Sequence, residues 1–72
     1  MYEDVVLQAI QSVQPKTFAK IGMMISFADV FEFCSLQGFD NRDIIEAELK
    51  KLDEDGDYTA VYSDGVLIGV KH

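Results

Sequence analysis

Tryptophan is missing from this 72-residue chain, Cys, Pro and His occur once each, and six Lys and Arg stand against thirteen Asp and Glu. Each shortage excludes something. A lone Cys34 cannot close a disulfide within the chain, so the core must hold without cross-links. One Cys and the terminal His72 cannot supply a four-ligand zinc site, and no other cofactor or metal set is visible. The same pair makes a poor catalytic dyad, because a base must be held within hydrogen-bond reach of its nucleophile. Cys34 is therefore expected to be a buried structural thiol. There is no glycine-rich phosphate loop, and Asp43, Glu46 and Asp53 lie on an open helix where nothing desolvates them. The chain is not expected to be an enzyme.

Long apolar runs are absent as well. The longest, Ile21 to Ala28, stops at Asp29, far short of the roughly 18 uncharged residues of a membrane span. The first residues carry acids and no basic stretch of the kind that opens a secretion signal. Together with the single thiol, this predicts a cytoplasmic protein without a membrane partner. What remains is 49 % apolar and 26 % charged, the composition of a globular chain and not of a disordered one. Seventy-two residues allow one domain, 1–72, which buries about 60 % of its unfolded surface around a core worth about 3–5 kcal/mol.

Hydrophobic spacing sets the element order. Val6, Ile10 and Val13, flanked by Val5 and Ala9, mark one face of a helix over residues 3–14, ended by Pro15. Ile21 to Ile25 is too short for a helix and reads as a buried strand. Ser26, three residues ahead of Asp29, opens a second helix whose apolar face is Phe27, Val30, Phe31 and Cys34. Asp40 is the expected N-cap of a third helix, with Phe39 stapled onto Ile44. Ile45, Leu49 and Leu52 form its buried face, and it stops near Gly56. The period then changes from 3.6 to 2. Residues 58–62 and 66–70 are two β-prone runs joined at Asp64-Gly65, a pair suited to a type I′ hairpin turn.

This α-β-α-α-β-β order resembles a winged helix-turn-helix domain. The resemblance spans nearly the whole chain and is carried best by Ile45-Glu46-Ala47-Glu48-Leu49-Lys50-Lys51-Leu52-Asp53-Glu54-Asp55-Gly56, which is similar to that family's habitual end of the third helix before its wing. It implies a small α+β fold of three helices with a small antiparallel sheet. It also implies that the third helix enters the DNA major groove while the wing touches the backbone. In that role Asn41 and Arg42 at the helix start are residue types that read base edges, and Lys50 and Lys51 meet phosphates.

The charge opposes that role. Nucleic-acid affinity comes largely from Lys and Arg displacing counterions, and a net charge of -7 lacks that footprint. Only a dimer focusing Lys16, Lys20 and Arg42 into one patch would restore it. The first expectation is therefore a regulatory module that binds another protein, one whose own surface is basic because it handles nucleic acid. It would do so through an acidic face of Asp43, Glu46, Asp53 and Asp57. A dimeric DNA-binding regulator is the alternative, and either state, monomer or homodimer, is open. Core packing is the first account of the phenylalanines, with Phe33 and Phe39, beside the turn between the second and third helices, as the alternative candidates for an apolar docking patch. Small size with strong acidity also suits a phage- or prophage-encoded regulator of host machinery. Asp53, Asp55, Asp57 and Asp64 reproduce four positions of a calcium loop, but Tyr58 stands where that loop needs Gly.

Overall fold

The computed structural model describes residues 1–72. Val5, Val6, Ala9 and Ile10 fall on one face of α1 (Tyr2–Ser12), and all four are buried. The helix stops two residues before the expected end. Val13 is already extended, and its N–H closes the last turn on the Ala9 carbonyl at 2.8 Å.

The principal departure from the expected order follows directly. Residues 16–18 form a strand, β1 (Lys16–Phe18), which doubles back into β2 (Gly22–Ser26). Pairing runs from Lys16 opposite Met24 to Phe18 opposite Gly22. Pro15 sits immediately ahead of β1, where its missing N–H breaks no ladder bond. The order is thus α-β-β-α-α-β-β, three helices and a four-stranded antiparallel sheet.

Ser26 is extended and its hydroxyl accepts from the Asp29 N–H, starting α2 (Phe27–Ser35). Phe27, Val30 and Cys34 are its buried residues. The N-cap of α3 (Arg42–Glu54) is Asn41, one residue later than expected: its Oδ1 accepts from the Ile44 N–H at 3.2 Å. That shift moves Phe39 out of staple position. Its ring meets Tyr2 edge-on instead, at 5.0 Å, and the Tyr2 hydroxyl accepts from the Asn41 N–H at 3.0 Å, tying the start of α1 to the start of α3.

The hairpin β3 (Thr59–Ser63) and β4 (Val66–Lys71) turns through Asp64 and Gly65, with φ of 53° and 78°. Two successive positive φ values are the type I′ requirement, which Asp-Gly meets at little steric cost. Val61 faces Gly69 while Tyr62 faces Leu67, so Ile68 is one residue extra and bulges β4. Beyond the bulge, β4 pairs with β2 through Val70 opposite Ile25 and Gly69 opposite Ser26, giving the sheet order β1-β2-β4-β3.

The core joins all layers. Val6, Ala9, Val30, Cys34, Ile45, Leu49 and Val70 are essentially inaccessible, with Ile25, Phe27 and Leu67 beside them. No helix is long and apolar enough to cross a membrane.

Candidate interaction surface

Helix α3 has two polar flanks on either side of its buried Ile45 and Leu49. Asp43, Glu46, Lys50 and Asp53 repeat at i, i+3, i+7 and i+10, which places them on one stripe. Ile44, Glu48, Lys51 and Asp55 repeat at i, i+4, i+7 and i+11 on the opposite flank, the one beside α1. Three of the four expected acidic residues, Asp43, Glu46 and Asp53, therefore share a stripe. Asp57 does not. It lies in the loop after α3 and lines the cleft against α1.

The basic residues are almost all engaged within the fold. The Arg42 guanidinium sits 4.6 Å from the centroid of the Phe27 ring, a cation–π contact that holds it against α2. Lys50 Nζ lies 3.1 Å from Glu46 one turn back, and that carboxylate raises the lysine pKa above its usual 10.5 through hydrogen bonding and charge. Lys51 bridges Glu3 on α1 at 3.5 Å and Glu48 at 3.8 Å. Lys16 on β1 meets Asp29 of α2 at 2.8 Å, with the same upward shift from the same causes. Lys71 donates to the Ile21 carbonyl at 2.7 Å. Lys20 alone has no partner. Of thirteen Asp and Glu, by contrast, only Glu3, Asp29, Glu46 and Glu48 stand in ion pairs.

The expected DNA-reading set is dispersed by these contacts: Asn41 caps a helix, Arg42 lies over a ring, and Lys50 and Lys51 face acids on their own helix. Phe33 and Phe39 are both half-buried and pack against the core. The exposed apolar side chains are others: Met1, Met23, Leu36, Val66 and Tyr62, with Leu7 and Ile44 at the margin. Two apolar-floored clefts lie along the α1–α3 seam and share Glu3, Glu48 and Lys51. In the sequence Ile44 stands out as the staple partner of Phe39, and Leu7 not at all; each lines a different one of the two clefts, which exist only once α1 and α3 are packed together.

Cys34 is fully buried, and loss of solvent raises its thiol pKa above 9.0. No three His, Cys, Asp or Glu side chains converge to a metal-binding arrangement. Asp53, Asp55, Asp57 and Asp64 are accordingly spread from the end of α3 to the hairpin tip. No protein-family model, curated protein or solved structure matches this chain.

Proposed function

We propose that this protein is a small acidic winged-helix module that works in regulation by binding another protein, one with a basic, nucleic-acid-handling surface. The observation that carries the reading is the asymmetry of free charge. Internal contacts occupy every basic residue but Lys20, whereas nine acids, Asp53 and Asp57 among them, have no ionic partner. A surface of that kind attracts a cationic partner over a Debye length and repels a phosphate backbone. The topology supports the winged-helix part: α2 and α3 precede a hairpin whose inner strand, β4, pairs with the strand that enters α2. The added edge strand β1 is a departure from the simple form of that fold.

The test is capture from host lysate by the wild-type chain and by a Glu46→Lys, Asp53→Lys variant, alongside titration with duplex DNA at low salt. The expected result is a basic protein retained by the wild type, released by salt and lost by the variant, with no DNA binding. Duplex binding that fades as salt rises, or capture indifferent both to the substitutions and to salt, would overturn the reading.

A further inference from the structure

Three features of the α1–α3 seam converge on one use. The first is apolar surface that the core does not consume. At one end Tyr2, Phe39 and Ile44 floor a cleft of about 610 Å³, and at the other Val6, Leu7 and Leu52 floor one of about 260 Å³. Of these, Leu7 on α1 and Ile44 on α3 remain 37 % and 39 % exposed, and Met1 beside the larger cleft is 85 % exposed. The second is charge. Asp4 flanks the first cleft and Asp55 and Asp57 the second, none of them ion-paired. The third is the divider between them: one ammonium, Lys51, shared at 3.5 and 3.8 Å by two carboxylates, Glu3 and Glu48. Lys51 is 57 % exposed and its ion pairs are long, so they hold it weakly and exchange readily.

We propose that this seam is a single docking groove for a polypeptide segment that carries both apolar and arginine-rich faces. Lys51 acts as a built-in stand-in that the segment's guanidinium displaces. The proposal rests on the reading of a basic protein partner and names the place and the chemistry of contact. An acidic segment or a nucleic acid would meet carboxylates along the whole rim. A second copy of this chain is equally unsuited, since Lys20 is its one disengaged cation. An arginine entering between Glu3 and Glu48 gains two acceptors and a planar fork that lysine cannot match, while neighbouring apolar side chains fill the two clefts.

The experiment is fluorescence anisotropy of the full chain with three labelled probes: an amphipathic Arg–Leu peptide, an Arg–Gly peptide of equal charge, and duplex DNA. The Arg–Leu peptide is expected to bind about tenfold more tightly than the Arg–Gly peptide, with affinity falling as salt rises. Leu7→Ser with Ile44→Ser should remove that preference. Lys51→Met should tighten Arg–Leu binding by about threefold or more, a gain that misfolding cannot imitate. Equal binding of both peptides, a weaker Lys51→Met complex, or preferential binding of DNA would overturn the groove. Binding abolished by Glu46→Lys with Asp53→Lys but untouched by the seam substitutions would leave the basic-partner reading standing and remove the groove. Failure of every cationic probe would remove that reading itself.

Discussion

Cys34 illustrates what a single residue contributes when nothing nearby can use it. Its side chain is wholly buried among Val30, Ile45 and other core residues, and the only cause acting on its thiol is loss of solvent, which raises its pKa. In the unfolded chain the thiol ionises near 9.0, whereas the folded chain holds its proton to higher pH. Above 9.0 ionisation therefore favours the unfolded state. Stability should be unaffected by this group below 9.0 and should fall as pH climbs through the interval up to the folded value. Lys16 and Lys50, also raised, act with the same sign but only above 10.5. Urea midpoints across about pH 7 to 10.5 would show the decline. Cys34→Ala should lower stability by about 1 kcal/mol at neutral pH yet flatten the slope that begins at 9.0. An unchanged slope would mean that the thiol is not the titrating group.

Among the elements, the join between β2 and β4 is the narrowest. It consists of Ile25 opposite Val70 and Ser26 opposite Gly69, and it alone connects the β1–β2 hairpin to the β3–β4 hairpin. A methyl group on Gly69 would strike the Ile25 carbonyl oxygen and approach Met24 Cγ and Sδ at 2.8 Å. Backbone on one side and a buried side chain on the other leave little room to yield. Gly69→Ala should therefore cost about 1–3 kcal/mol, measured by thermal unfolding, and should expose Met24 to oxidation. The helices and this β3–β4 hairpin were legible in the sequence because each carries its own local signal: the period of Val6 and Ile10, the Ser26 cap, the Asp64-Gly65 turn. Strand β1 carried none. Lys16-Thr17-Phe18 is three residues with no alternation long enough to read, and its extended state depends on β2 lying opposite. The cap of α3 was misplaced by one residue because Asp40 and Asn41 are both good caps by residue type, and Asn41 is the one whose side chain reaches the Ile44 N–H.

The whole molecule is organised by where its charges end up. Asp43, Glu46 and Asp53 on one helical stripe could be read from spacing alone. The retirement of the cations could not. Arg42 over Phe27 and Lys51 across to Glu3 are contacts between separate helices, invisible until those helices are packed. With so many acids left unpaired, the folded chain repels itself, and added salt should relieve that repulsion. The melting temperature is expected to rise between about 10 and 150 mM NaCl. A fall would show that the pairs made by Lys16, Lys50 and Lys51 outweigh the repulsion. The absence of tryptophan has an optical consequence at the head of the α1–α3 seam. Tyr2, held there between the Phe39 ring and the Asn41 N–H, would become the sole emitter in a chain carrying Tyr58→Phe and Tyr62→Phe. Its intrinsic fluorescence would then report, without any label, when something settles into the seam.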